Sequence, residues 1–330
     1  MSASERLRRI QVVASSRLHF GLLSFGHAGR RQFGGVGVML QQPSLELFFS
    51  ASSSFDVTGE LSNRVLAFVQ HWAQWHGRPE LPSCRIEVAS VPREHVGLGV
   101  GTQLGLSVAS GLNRLLQCPE PSLTELVQSV GRGARSAVGS YGFSSGGLIV
   151  DAGKMATEQI SPLESQLPIP AAWRWVLICP SQGSGLSGER EGQAFDQLQP
   201  VPEEVSDRLK NEIQEEMLPA VREHQFERFS QAVFRFGELA GSCFAAVQGG
   251  AYHGEELIQR VGWLRSLGIE GVGQSSWGPT LFALFENESA AEEFVTYAQQ
   301  DPMGERLEYQ IASTDNCGAS ISESLSVEGE

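Results

Sequence analysis

The hydrophobic pattern changes period several times along the chain. Residues 9–26, RIQVVASSRLHFGLLSFG, read as strand with a polar interruption at Ser15–Ser16. GVGVML and SLELFFS continue the β character on either side of Pro43, and CRIEVAS repeats it after a helical run from Leu61 to His76. In HVGLGVGTQLGLSVASGL (95–112), three glycines at every second position (Gly97, Gly99, Gly101) give way to an amphipathic run. Leu104, Val108, Leu112 and Leu115 recur there at helical spacing, which predicts a helix capped by Thr102. SLTELVQSVGRG predicts a second helix stopped at Gly131 or Gly133, and GGLIVDAG and WRWVLICP predict apolar strands.

A polar, Pro-rich connection over 156–172 marks the expected domain boundary. Beyond it come the charged glycine loop GSGLSGEREGQAF, helices over 202–222 and 224–246, and a third from Glu255 to Leu267. The 224–246 helix is closed by Gly249–Gly250. A second glycine loop (Gly268–Gly278), the strand TLFALFE, a helix over 289–300 and the strand ERLEYQIA follow. β-rich first and helix-rich second, the pattern is α+β. The expected division is an N-terminal lobe over 1–165, a C-terminal lobe over 166–312, and a disordered acidic tail over 313–330.

Charge narrows the partners. With 24 Lys+Arg against 38 Asp+Glu the formal net charge is −14, which argues against nucleic acid or an anionic membrane as partner. Small anionic ligands remain compatible, because local arginines and helix ends set the field inside a cleft. The five cysteines are scattered and form no C-x-x-C pair, so neither a zinc site nor a disulfide framework is expected, and a cytoplasmic location is. The N-terminal segment does not read as a secretory signal.

The glycine loop ahead of the predicted helix offers backbone N–H groups and a positive helix end, the ingredients of a phosphate site. An ordinary turn before a core helix fits the same letters. It is neither a P-loop nor a good dinucleotide fingerprint. Gly271, Gly273, Gln274, Ser275 and Ser276 form a similar loop late in the chain, and two such loops strengthen the polyanion reading. Arg17 and His19 share one strand face, where an arginine can grip phosphate or carboxylate bidentately. Arg132 and Arg135 flank a glycine turn, with a plain surface role as the alternative. Asp151, at a strand end, suits Mg²⁺ binding, acid–base work or turn capping, and Glu189 on a glycine loop reads likewise. Trp277 fits either ring stacking or the core. No metal-ligand spacing of histidines and no Ser/His/Asp triad is visible.

Taken in order, these pieces resemble the galactokinase–homoserine kinase–mevalonate kinase–phosphomevalonate kinase (GHMP) superfamily. The closer resemblance is to its β-ribofuranosylaminobenzene 5′-phosphate synthase branch. It is carried by RLHFGLL, HVGLGVGTQLGLSVA, GRGARSAVGSYGFSSGGLIVDAG, GLSGERE, QGGAYH and GVGQSSWGPT, over residues 17 to about 285. The resemblance implies a ribosomal protein S5 domain 2-like first lobe and a ferredoxin-like second lobe. It also implies a Mg²⁺-dependent pentosyl transfer, from phosphoribosyl pyrophosphate to 4-aminobenzoate with loss of CO₂ and pyrophosphate, in tetrahydromethanopterin biosynthesis. A homodimer is implied as well. On this reading Gly97, Gly99, Gly101, Thr102 and Gln103 cradle phosphate, and the second loop completes the site. Arg17, His19 and Arg135 take the 5′-phosphate or the benzoate carboxylate, and Asp151 and Glu189 serve Mg²⁺ or acid–base duty. GHMP kinases carry an aspartate after Ser-Gly-x, and Gly139 stands in its place here. A GHMP-type ATP-dependent kinase and a non-catalytic phosphometabolite-binding relative are the alternatives.

Overall fold

The computed structural model describes residues 6–181 and 188–327. The alternation at the start of the chain becomes two long antiparallel strands, β1 (Arg6–Ser24) and β2 (Phe33–Ala51), paired from Arg9↔Ser50 to Ser24↔Phe33. The polar interruption at Ser15–Ser16 is a register shift between Ala14 and Ser16. The offset is three residues and falls on β2, whose buried side chains change parity across it. Val36, Val38 and Leu40 pack in one core cluster with Leu18 and Phe20, and Leu45, Leu47 and Phe49 in another with Ile10, Val12 and Ala14. β1 keeps its alternation throughout, so Arg17 and His19 share its opposite face.

The rest of the first sheet follows from these two strands. β3 (Asp56–Gly59) leads through α1 (Ser62–Trp75) to β4 (Cys84–Ser90), which pairs with the second half of β2 and runs parallel to β3. After α2 (Val100–Leu115), α3 (Leu123–Ser129) and α4 (Val138–Ser145), β5 (Leu148–Asp151) pairs with the first half of β2. β6 (Leu163–Leu167) pairs with β5, so the polar, Pro-rich connection expected as the domain boundary holds a strand of the first sheet. Leu104, Val108 and Leu112 of α2 are buried with Val65, Phe68 and Trp72 of α1, as the spacing predicts. The cap differs from expectation. Gly99, at φ 74°, is the N-cap and Thr102 lies inside the first turn, its N–H donating to Gly99 O at 3.1 Å. Only glycine takes that left-handed turn without strain, so the helix starts earlier.

The second sheet is built from β7 (Arg174–Pro180), then, after α5 (Gly188–Asp196), α6 (Glu203–Asn211), α7 (Leu218–Arg222), α8 (Phe226–Ser242), α9 (Ala245–Gln248) and α10 (Gly254–Ser266), from β8 (Val272–Gln274) and β9 (Leu281–Phe285). α11 (Glu288–Ala298) and β10 (Leu307–Ser313) complete it, in the order β10–β7–β9–β8. The single helix expected over 202–222 is interrupted by a π-helical turn at Glu212–Met217. Pro219 just beyond it has no N–H to continue the α pattern. The helix expected over 224–246 ends at Ser242, and a separate short helix, α9, carries the chain to the expected stop at Gly249. α8 lies between the sheets, its Phe229, Val233 and Phe236 packed with Leu18 and Phe20 on one side and Trp175 and Phe282 on the other.

The expected disordered tail is corrected by the structure. β11 (Ser320–Val327) pairs antiparallel with β1 from Val13↔Ser320 to Arg6↔Val327, with Arg8 and Glu323 ion-paired at 2.6 Å. Main-chain pairing at a sheet edge needs no apolar side chains, so a Ser- and Glu-rich segment gives little warning of it.

Candidate active site

The two glycine loops meet over β1. The amide of Arg17 donates to Leu98 O at 2.9 Å, and that of Ser276 donates to His19 O at 2.9 Å. Ser275 ties both loops to the strand: its Oγ donates to Gly97 O at 2.7 Å and accepts from the His19 amide at 3.1 Å. Any Cβ on Gly97 would lie 2.3 Å from Ser275 O, so the contact requires glycine there. The loops enclose a cleft of about 430 Å³, the size of a small-molecule site.

One end of the cleft is cationic. Arg17, Arg64, Arg132, Arg135 and His95 line it around the N-terminus of α2, whose first amides have no side-chain cap. Arg64 is ion-paired with Glu94. Burial and the neighbouring Arg64 both lower the pKa of His95. No Asp or Glu lines the cleft among the described residues. In a chain of net charge −14 this end is a local reversal of sign, and it suits a phosphorylated ligand.

Behind the cationic end runs a hydrogen-bonded chain from the cleft into the core. His19 Nε2 is 3.1 Å from Ser136 Oγ, which donates to Asp151 Oδ2 at 2.7 Å. The Ala137 amide also donates to Oδ2, at 3.0 Å, while Ser161 Oγ and the Gly153 amide donate to Oδ1. Burial pushes the Asp151 carboxyl above the usual range, against the pull of these four donors. Since Ser136 spends its proton on Asp151, it accepts from His19 Nε2–H, which assigns the tautomer. Burial first, and Arg17 second, hold the His19 pKa well below its ordinary value, so the imidazole is neutral.

The other end of the cleft is aromatic. Phe195, Phe244 and Trp277 line it, with centroid separations of 5.8 Å for Phe195–Trp277 and 4.9 Å for Phe244–Trp277, both edge-on. The Arg135 guanidinium stands 5.3 Å over the Phe195 ring, at the junction of the two ends.

Comparison with known proteins fits this geometry. The model for the C-terminal domain of GHMP kinases matches residues 217–302. A β-ribofuranosylphenol 5′-phosphate synthase of Archaeoglobus fulgidus is 32% identical over 292 residues, covering 84% of this chain and 88% of the relative. The enzyme of that name from Methanothermobacter thermautotrophicus is 29% identical, covering 82% and 86%. The chain belongs to the β-ribofuranosylphenol 5′-phosphate synthase family. Solved structures establish the fold beyond it. A homoserine kinase of Cytophaga hutchinsonii superposes with TM-score 0.65 at 14% identity over 98% of this chain and 99% of that one. A mevalonate pyrophosphate decarboxylase of Streptococcus pyogenes gives 0.68 at 11%, over 95% and 99%. The two-lobed GHMP fold and the relation to a pentosyltransferase are thus as the sequence implied. The relatives are named for a phenol, not an aminobenzene.

Within the synthase fold, Arg17, His19, Gly97, Gly99, Gly101, Thr102, Arg135, Gln274 and Ser276 all line the cleft. Gln103 does not: it is buried, and its Nε2 donates to Gly139 O at 2.8 Å, fastening α2 to α4. Ser275 is wholly buried as the tie between loops, and Gly271 and Gly273 back onto Leu284 and Phe282 beside and within β8. Asp151 reaches the cleft only through Ser136, because its oxygens are turned inward to four donors. Glu189 belongs to α5, but its side chain lies outside the described residues. Arg64, Phe195 and Phe244 were not visible as site residues in the sequence.

The Mg²⁺ implied by the resemblance finds no carboxylate on the cleft wall, and no group of three or more His, Cys, Asp or Glu that could hold a metal, among the described residues. These residues do not fit a protein-held cation, and no step is routed through one. No helix among the described residues is long and apolar enough to cross a membrane.

Proposed function

We propose that this chain transfers the 5-phosphoribosyl group of phosphoribosyl pyrophosphate to the carboxyl-bearing ring carbon of 4-aminobenzoate, releasing pyrophosphate and CO₂. One observation carries the reading. A single cleft has a cationic end built on a helix N-terminus and an aromatic end, with no carboxylate between them among the described residues.

The chemistry asks for what this wall provides. The bond between ribose C1 and the pyrophosphate oxygen breaks, and its electron pair leaves with pyrophosphate. The ring carbon bearing the carboxylate then bonds to C1 through a π pair made available by the para amine. The ring–carboxylate bond breaks last, and its pair restores aromaticity as CO₂ departs. No proton is gained or lost, so neither a strong base nor a protein nucleophile is needed. The chain's task is to place two substrates and to stabilise the departing charge. Arg17, His19 and Arg135 are assigned to the 5′-phosphate or the carboxylate, and Phe195, Phe244 and Trp277 to the arene face.

A phosphoryl-transfer reading fits less well. Gly139 stands at the kinase aspartate's position, and no described carboxylate reaches the cleft to replace it. The relatives' name favours a para hydroxyl as a second acceptor type, since a hydroxyl donates electron density as the amine does. Carboxyl-labelled 4-aminobenzoate and 4-hydroxybenzoate, each incubated with phosphoribosyl pyrophosphate, decide the matter. The expected result is labelled CO₂ released in step with pyrophosphate. No label from either acceptor, or consumption of ATP with a small alcohol, overturns it.

A further inference from the structure

Gly101 sits in the first turn of α2, and a Cβ placed on it would lie 2.3 Å from Arg132 Nη2 and 2.4 Å from Arg64 Nη2. Two guanidinium groups from distant parts of the chain thus converge on one point over the helix N-terminus. Each is held from behind. Glu94 pairs with Nη1 of Arg64, leaving Nη2 directed at Gly101. The guanidinium of Arg132 stands 5.6 Å over the Phe68 ring. Two guanidinium forks whose Nη2 atoms meet at one point over a helix N-terminus present convergent donors to an anion.

We infer that Arg64 and Arg132 form a clamp for the leaving pyrophosphate, which the protein binds through these two side chains and not through a metal held by its own carboxylates. This rests on the pentosyl-transfer reading and adds to it which residues receive the departing charge. Guanidinium forks match phosphate oxygens bidentately, and the uncapped amides of α2 supply further donors. The glycine at 101 has a stated reason on this account: its missing side chain is the space the two forks occupy.

The test is calorimetric titration of inorganic pyrophosphate into the full-length protein in EDTA, then with Mg²⁺ added. Wild type should bind in EDTA. Arg64→Gln and Arg132→Gln should each weaken that binding by about 10- to 100-fold, the range for a lost charge-assisted hydrogen bond. Gly101→Ala supplies a variant that keeps the fold. Alanine favours the helix, and its methyl meets only the far ends of two flexible side chains, so the melting temperature should hold while pyrophosphate affinity falls. Binding that appears only with Mg²⁺, or that is equal in all four proteins, overturns the clamp. CO₂ release from wild type alongside such a result would leave the pentosyl-transfer reading standing. Pyrophosphate binding as expected without any CO₂ release would do the reverse.

Discussion

Ser275 Oγ donates to the carbonyl of Gly97 at 2.7 Å, across 178 residues of chain, and accepts from the His19 amide at 3.1 Å. One wholly buried hydroxyl therefore fixes the spacing of both glycine loops relative to β1. Ser275→Ala leaves a half-buried carbonyl and a buried amide without this partner, which costs about 1–3 kcal/mol. The expected outcome is a lower melting temperature together with a KM for the ribosyl donor raised about tenfold, since the loop amides no longer converge. Thermal unfolding and steady-state kinetics check both. A variant that melts like wild type with unchanged donor KM would show that the loops are aligned by something else.

Gly139 is buried beside two cleft residues, Thr102 and Arg17, and has room for a Cβ. A Cβ there would lie 3.5 Å from Thr102 Cγ2 and 3.6 Å from Arg17 Cδ, ordinary contact distances. Gly139→Asp adds an acid in the first turn of α4, where negative charge favours the helix. The fold should survive, with a melting temperature within a few degrees of wild type. The new carboxylate faces Arg17 and competes with the anionic donor for it. Donor affinity should drop by about tenfold, one charge-assisted contact's worth. Titration of phosphoribosyl pyrophosphate against both proteins reads this directly. Equal affinities would remove Arg17 from the donor site.

The aromatic end predicts a separable effect. Trp277 is nearly buried, edge-on to Phe195 and Phe244. Trp277→Leu keeps the apolar character but loses the ring geometry, worth about 0.5–1.5 kcal/mol per aromatic pair. The arene KM should rise about three- to tenfold while pyrophosphate affinity stays put. If both change together, the two ends of the cleft do not bind separate halves of the reaction.

Much of this architecture is written in the sequence, and the exceptions have physical causes. The stripe Leu104–Val108–Leu112 and the parity of Arg17 and His19 are local, and local periodicity survives into the fold. Arg64 is a polar position on an amphipathic helix, and nothing in its neighbours announces that its tip meets Arg132 beside Gly101. Asp151, at a strand end, suits Mg²⁺ or acid–base duty as well as turn capping, and its place on the strand does not decide between them. The amides of Ala137 and Gly153 donate to it as in a cap. Its true direction is decided by Ser136 and Ser161, which lie on either side of it in sequence and close over it only once the sheet forms. β11 escaped notice because an edge strand is held by its main chain, which has no composition.

The chain His19–Ser136–Asp151 predicts a pH effect on stability. His19 is buried and neutral in the native state, with its pKa well below 6.5 owing first to burial and then to Arg17. In the unfolded chain it titrates near 6.5. As pH falls below that value the unfolded state binds a proton that the native state refuses, so stability declines with acid until the native pKa is reached. The slope from this one group is at most about 1.4 kcal/mol per pH unit. His19→Gln, which keeps a side-chain donor for Ser136, should melt with less loss between pH 7 and pH 5 than wild type. His76 and His95 also have lowered pKa values, but they are present in both proteins and cancel in the comparison. Asp151→Asn should act in the opposite sense on the imidazole. Its amide can accept from Ser136 through Oδ1 or donate to it through Nδ2, so the Nε2–H tautomer is no longer fixed, and ¹⁵N spectra of His19 should show both tautomers. Parallel melting curves for wild type and His19→Gln across that range, or a single tautomer in Asp151→Asn, would mean that the buried carboxylate does not govern the histidine at the cleft.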